Sequence, residues 1–319
     1  MLRAVRIENF RCLQRVDVPL RPLTVLIGPN DSGKSAFLAA LRWFVDGFGL
    51  RPEDFWRCQK NLLMMVHTET SGMSGGFTSQ GNVIAMIGSG EPMRTTLRPA
   101  GFYQLPSQGV PMRSSGITDR PGKPPPLGQD GSNLPAFLDY LLRRDRDRFF
   151  QILAALRELV RGIEDVRIST PEPSERRVEL VIENGLEIPA EDASTGVRLM
   201  LFFIALAYHP SPPKLILIEE PENGVHPKRL VDVVRLLREI SQGRHGIHAA
   251  QVVLSTHSPY LMDKIDPKQD QVLVFRRNED GSRTAEPVDE ARLKTFMDEF
   301  MLGEVWFNQG EEGLITRRE

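Results

Sequence analysis

The octapeptide Gly28-Pro29-Asn30-Asp31-Ser32-Gly33-Lys34-Ser35 constrains this chain more than any other stretch. It follows an apolar run, Leu-Thr-Val-Leu-Ile at 23–27, and precedes a segment at 36–45 whose apolar residues recur at helical spacing. A strand that hands over to a helix through such a glycine loop aims backbone N–H groups and the positive helix end at phosphate. Gly28 through Ala36 are therefore the expected cradle of a nucleotide's α- and β-phosphates. Lys34 would reach the β- and γ-phosphates, and Ser35 would set its hydroxyl on Mg²⁺. The chain must then build an α/β core around a parallel sheet.

Three further stretches carry chemistry. At 215–220, four apolar β-formers are followed by Glu219 and Glu220, which puts carboxylates at the end of a buried strand, where open α/β sheets bind ligands. Glu219 is expected to hold Mg²⁺, directly or through water, and Glu220 to orient or deprotonate an attacking water. Leu254-Ser255-Thr256-His257-Ser258-Pro259 sets His257 just beyond a strand, where an imidazole can donate to a γ-phosphate. Ala193-Ser194-Thr195-Gly196-Val197-Arg198 opens an apolar helix at 195–208, with Ser194 as a good N-cap and free helix amides beside it.

The chain has 319 residues, 40% hydrophobic and 26% charged, enough for a substantial core. A net charge of -2 gives no overall basic field to draw it to nucleic acid or a membrane. Cys12 and Cys58 have no CxxC companion, so a zinc knuckle is excluded and a disulfide is not expected. No apolar run approaches the roughly 18 residues of a membrane span, and the N-terminus lacks a signal-peptide core. A soluble cytoplasmic protein is expected.

Alternation at 2–8 and 15–20 around a turn at 9–11 predicts an antiparallel pair before the loop strand. Residues 50–130 are rich in Gly, Ser and Pro and predict an irregular region with strands at 83–87 and 97–105. Ser132-Asn133-Leu134-Pro135 starts a helical hairpin, 136–143 and then through about 161. Strands at 166–169 and 177–183, the hairpin turn Glu183-Asn184-Gly185 and a strand at 186–189 follow. Then come the helix at 195–208, a strand at 214–218, a helix at 227–240, and strands at 251–255 and 271–276. The hairpin's Arg143, Arg144, Arg146, Arg148, Arg157 and Arg161 read either as a nucleic-acid face or as a solvated surface interleaved with Asp145, Asp147 and Glu158. The tail at 292–310, with Phe300, Met301, Leu302, Trp306 and Phe307, reads as core packing or as a docking patch.

The glycine loop, the Ser-x-Gly helix, the strand ending Glu-Glu-Pro-Glu and the Ser-Thr-His-Ser-Pro stretch, in this order, resemble the ABC-type ATPase heads of the SMC/RecF and overcoming-lysogenization-defect (OLD) group. The chain is similar in particular to short bacterial AAA_21-type ATPases without a coiled coil. Ile7-Glu8-Asn9-Phe10-Arg11, Gly131-Ser132-Asn133-Leu134 and Gly303-Glu304-Val305-Trp306 add to that likeness, which is loose only over 50–128. The resemblance implies an α/β P-loop NTPase with a mixed sheet, an antiparallel β flank and an inserted helical lobe. Its segments would be 1–49 and 191–290 for the two halves of the core, 50–190 for the lobe and 291–319 for a tail.

It further implies that Ser194, Thr195 and Gly196 are the signature reaching the γ-phosphate of ATP in a second head, with Thr195 departing from the usual residue. Asn223, Gly224 and His226 would be the D-loop, His257 the switch histidine, Gln80 or Gln104 the Q-loop, and Arg11 a neighbour of the nucleotide. ATP and Mg²⁺ would be the cofactors, with a homodimer or higher homo-oligomer and a separate effector as partner, and with nucleic acid left open as a further one. Anti-phage defence or a DNA-associated process is the implied setting. A low-turnover switch that docks or restrains a partner is the alternative. An OLD-type nuclease domain is not expected in this chain, because the roughly sixty residues after His257 fall short of a typical domain of about 100.

Overall fold

The computed structural model describes residues 1–47, 51–58, 61–68, 74–80, 83–88, 95–116, 124–289, 301–310 and 314–315. They group into two compact units. One comprises Met1–Phe102, Pro213–Glu220 and Ala250–Glu319, and the other Tyr103–Pro212 and Pro221–Ala249.

The first unit is built on parallel strands β3 (Leu23–Ile27), β12 (Leu215–Glu219), β13 (Gln251–Thr256) and β14 (Gln271–Arg277), in the order β14-β3-β13-β12. Their sequences run apolar without alternation because both faces are covered, and every residue of β3 and β13 is buried. Helix α1 (Lys34–Asp46) lays Phe37, Leu41 and Phe44 onto the core, with Phe37 meeting Phe275 edge-on at 5.5 Å. An antiparallel flank continues the sheet as β6-β5-β4-β1-β2-β15 up to β14. It is made from β1 (Leu2–Phe10), β2 (Leu13–Pro19), β4 (Leu63–Thr68), β5 (Ser74–Gln80), β6 (Val83–Gly88) and β15 (Arg283–Pro287). The Gln251 side chain fastens the flank to the core. It accepts from the Leu2 amide and donates to the Leu2 carbonyl, both at 2.8 Å, so a buried amide is satisfied at both ends.

The second unit carries a small antiparallel sheet. Strand β10 (Glu175–Ile182) pairs with β8 (Arg113–Ser115), β9 (Ile163–Ser169) and β11 (Leu186–Pro189). The turn into β11 has Asn184 at φ 71 and Gly185 at φ 72, the backbone its Asn-Gly pair predicts. Helices α2 (Leu134–Arg144), α3 (Arg146–Leu159), α4 (Thr195–Ala207) and α5 (Leu230–Ser241) pack in this unit. Asp145 closes α2 and caps α3, its carboxylate accepting from the Arg148 amide. α4 is buried from Leu199 to Ala207, which explains its nearly unbroken apolar sequence. Among the described residues, no helix is long and apolar enough to cross a membrane.

The structure departs from the sequence reading at identifiable places. The strand expected at 83–87 is present as β6, but β4 and β5 were not expected, and the three strands extend β1 of the first unit as an antiparallel meander. The segment expected to be a strand at 97–105 is a helical turn at 95–97 followed by β7 (Gly101–Gln104), with Pro99 between them. α3 stops at Leu159 because Val160 is extended and Gly162 takes φ 85. The helix expected from 227 opens as a 3-10 turn, Pro227–Arg229. α4 and α5 group with the helical hairpin, so the compact units cut the chain differently from the 50–190 and 191–290 segments.

Candidate nucleotide site

β3 is followed by Gly28, whose φ of 153 brings it against the neighbouring strand. A β-carbon there would lie 2.5 Å from the Phe275 carbonyl oxygen and 2.7 Å from Ser32 Oγ. Asp31 stands at φ 62 and Gly33 at φ 102, after which α1 begins at Lys34 with no side-chain cap. The first-turn amides therefore rely on an acceptor from outside the helix. The Lys34 ammonium donates to the carbonyls of Gly28 (2.7 Å) and Pro29 (2.8 Å), and the residue is only 6% exposed. Beside it lies a cavity of about 460 Å³ lined by Cys12, residues 30–36 and Glu220. Ser32 Oγ is buried and has no hydrogen-bond partner among the described residues. Such an orphan suits a loop built to meet anionic oxygens.

The parallel register brings the acids to the same end of the sheet. Ile27 stands opposite Thr256, and Glu219 opposite Ser255. Glu219 is half-buried at the end of β12, and Ser35 is exposed in the first turn of α1. Glu220 follows at φ 44, an unusual backbone for a side-chain residue, while its amide still donates to the Ser255 carbonyl at 3.0 Å. That twist turns its carboxylate to His257, with Oε1 at 3.0 Å from Nδ1. One cavity is thus lined by the loop and Glu220, and Glu220 in turn holds His257.

A second cavity of about 950 Å³ also touches Cys12 and is lined by Arg11, Arg51, Asp54, Trp56, Arg57 and Arg283 among others. Arg11 falls here rather than among the loop cavity's lining residues. Its amide donates to the Asp54 carbonyl, and Nε pairs with the Asp54 carboxylate at 2.9 Å. Cys12 is a free thiol whose pKa is pushed up chiefly by burial.

In the second unit, Ser194 caps α4, accepting from the Val197 amide at 3.4 Å. Gly224 takes φ 80 against this turn, where a β-carbon would lie 2.7 Å from the Ser107 carbonyl and 2.8 Å from Thr195 Cγ2. The Gln108 carbonyl accepts from Thr195 Oγ1 (3.3 Å) and Arg198 Nη2 (2.6 Å). His226 Nδ1 accepts from the Lys228 amide at 3.2 Å and so caps the 3-10 turn. Ser194, Thr195, Gly196 and Gly224 therefore share one surface with the 107–109 loop. At Gly196 a β-carbon would meet only the Gly224 carbonyl, at 4.0 Å.

Residues 120–263 match the family model AAA_21, "AAA domain, putative AbiEii toxin, Type IV TA system", and residues 1–70 match AAA_15, "AAA ATPase domain". Among curated proteins, "OLD nuclease" of Thermus scotoductus is 23% identical, the alignment covering all of this chain and 70% of that protein. "Old nuclease" of Escherichia phage P2 is 38% identical over 55 residues, 17% of this chain and 9% of that protein. Among solved structures, the SMC head domain from Thermotoga maritima aligns with TM-score 0.59 at 15% identity, covering 90% of this chain and 99% of that one. An SmcHead bound to the C-winged helix domain of ScpA aligns at 0.64 and 12% identity, covering 91% of this chain and 99% of that one. The two family models and the OLD relative support an ABC-type ATPase head of the SMC/RecF/OLD group, and the solved structures show that the fold is that of SMC heads.

Several side chains that the sequence singled out have local partners. Arg143 pairs with Asp139 at 2.9 Å, Arg146 donates to the Leu142 carbonyl, Arg148 to the His245 carbonyl and Arg157 to the Glu164 carbonyl. Gln104 is exposed at the end of β7, while the side chain of Gln80 lies outside the described residues. Residues 290–300, with Phe300, also lie outside them. Helix α6 (Leu302–Gln309) buries Leu302, Gly303 and Val305 and leaves Phe307 79% exposed, so the tail's apolar residues divide between packing and surface. Sequence reasoning missed Arg283, which grips the loop. It lies about 250 residues away, and no local signal marks it.

Proposed function

We propose that the head binds Mg-ATP in the loop cavity, hydrolyses it with Glu220 and His257, and pairs with a second head over the nucleotide. The observation that carries this reading is the convergence of Lys34, Glu220 and His257 at the carboxyl ends of three adjacent parallel strands. Lys34 would exchange the Gly28 and Pro29 carbonyls for β- and γ-phosphate oxygens, and the first-turn amides with Ser32 Oγ would take the remaining oxygens. Ser35, which lines the loop cavity, and Glu219, at the end of β12, would be the residues to hold a hard cation that needs few protein ligands. Mg²⁺ held there would neutralise charge developing on the phosphates. Glu220 would orient and deprotonate the attacking water, and His257, held at Nδ1 by Glu220, would lie beside the γ-phosphate.

Head pairing is supported by Gly196. Glycine costs up to about 1 kcal/mol against alanine in a helix interior and less in this first turn, yet the only atom a β-carbon at Gly196 would meet is the Gly224 carbonyl oxygen at 4.0 Å. A phosphate arriving from a second copy supplies the reason for a bare backbone at the capped helix end. The setting we propose is a cytoplasmic role in anti-phage defence, or a DNA-associated one, beside a separate effector. The toxin system named in the AAA_21 description and the OLD relatives support this setting.

Glu220→Gln should trap ATP without turnover, so light scattering should show a doubled mass with Mg-ATP. ATP bound to a species of unchanged mass would refute the pairing.

A further inference from the structure

We propose that Arg283 is a positioning residue for the phosphate loop, setting nucleotide affinity through Asp31; the affinity part rests on the nucleotide reading above. Arg283 opens β15, where its amide donates to the Cys12 carbonyl at 3.0 Å. Its side chain is 8% exposed and crosses from the antiparallel flank to the loop. Nε donates to the Asp31 carbonyl at 2.7 Å and Nη2 to the Asp31 carboxylate at 2.6 Å, while Nη1 donates to the Gly281 carbonyl. Its aliphatic stem lies against Gly33, where a β-carbon would be 3.1 Å from Arg283 Cβ.

Asp31 is the loop residue whose backbone most needs holding. At φ 62 it is left-handed, a conformation that costs a non-glycine residue about 1 kcal/mol or more. Its carbonyl shares a rigid trans peptide plane with the Ser32 amide, so fixing the oxygen fixes where that N–H points. The guanidinium fork grips both the carbonyl and the carboxylate of this one residue, and a lysine ammonium cannot reproduce that planar geometry. The guanidinium's three nitrogens all bond to Asp31 and Gly281, so Arg283 acts on phosphate through the loop.

The experiment titrates Mg-ATP into the wild-type chain, Arg283→Ala, Arg283→Lys, Asp31→Ala and the Arg283→Ala/Asp31→Ala double variant, with amide hydrogen exchange of residues 31–35 read on the same proteins. Loss of a charge-assisted pair predicts binding weakened by about tenfold or more in Arg283→Ala. Arg283→Lys should recover only part of this. Asp31→Ala should lose less, since the carbonyl bond survives, and the double variant should match Arg283→Ala within about twofold. KM should carry the effect rather than kcat. Wild-type affinity in Arg283→Ala, or additive losses in the double variant, overturns the proposal. If Arg283→Ala does not fold, Arg283→Lys and Asp31→Ala carry the test, and wild-type affinity in both overturns it. If the wild type binds no Mg-ATP, the nucleotide reading fails on its own. Exchange in the unliganded chain still judges the positioning role: faster exchange at 32–35 without Arg283 supports it, and unchanged exchange overturns it.

Discussion

Replacing Gly28 by alanine places one methyl group where the structure leaves no room for it. The new β-carbon would sit 2.5 Å from the Phe275 carbonyl oxygen, 2.7 Å from Ser32 Oγ and 3.1 Å from Phe275 Cβ. Relieving the closest of these contacts requires β14 and the loop to separate by roughly 1 Å. β14 cannot move alone, because it is paired in parallel with β3 from Gln271 to Val274 and antiparallel with β15 on its other edge. Overpacking of this kind costs about 1–3 kcal/mol. The positive φ of 153 adds about 1–2 kcal/mol for a side-chain residue. Together, a loss of about 2–5 kcal/mol is expected, from a total on the order of 5–15 kcal/mol. The chain can relieve part of this by swinging the loop away from Phe275, which would carry the Lys34 carbonyl acceptors out of place. Urea melts and Mg-ATP titration read the two losses separately. A Gly28→Ala chain with both the wild-type midpoint and the wild-type affinity would refute the packing argument.

Gly196→Ala should leave the melting midpoint unchanged or slightly raised, because space is open at its α-carbon, yet should abolish ATP-dependent pairing. A monomer that still doubles its mass would remove the signature assignment. Ser194→Arg should likewise block pairing while nucleotide binding by the single head persists in equilibrium dialysis. His209 provides a pH signature. Its Nδ1 accepts from the Ser211 amide at 3.0 Å, its Nε2 faces the Pro125 carbonyl at 3.1 Å, and its ring stacks on Phe137 at 4.9 Å. Burial pushes its pKa down from 6.5 to about 4. The unfolded chain therefore takes up a proton that the native chain refuses. The stabilisation is full above pH 6.5 and disappears as pH falls to about 4, a change of about 3 kcal/mol. Urea melts across that interval should show His209→Gln with a flatter dependence than the wild type. Equal slopes would refute the neutral buried imidazole.

Much of the site was legible because its parts are contiguous stretches at strand ends. The loop from Gly28 to Ser35, the Glu219-Glu220 pair and His257 each follow a run of apolar β-formers, and that pattern reports a buried parallel strand directly. The central helices and strands were legible for the same reason. The flank was not. Leu63-Met64-Met65-Val66-His67-Thr68 has no clean alternation and the stretch after it is rich in glycine, so β4 and β5 become evident only once β1 and β6 supply their backbone partners, whereas the apolar run of β6 was readable. β15 was invisible for a sharper reason. Arg-Thr-Ala-Glu-Pro reads as a solvent-exposed segment, yet Arg283 is buried because Asp31 satisfies its charge across the sheet. Long-range register also placed the Arg11 side chain against Asp54 in the neighbouring cavity, where sequence spacing gave no warning. The arginines of the helical hairpin show the opposite case. Their charge pattern was plain, but their partners, a neighbouring aspartate and nearby carbonyls, are set by side-chain reach that a sequence does not record.

The most direct test of the central claim is phosphate release from Mg-ATP by the wild-type chain, Lys34→Ala and Glu220→Gln, with bound nucleotide measured on the same samples. The geometry predicts turnover in the wild type, no retained nucleotide in Lys34→Ala, and retained ATP with turnover reduced by about a hundredfold or more in Glu220→Gln. Wild-type turnover in Glu220→Gln, or tight Mg-dependent binding by Lys34→Ala, would contradict the account.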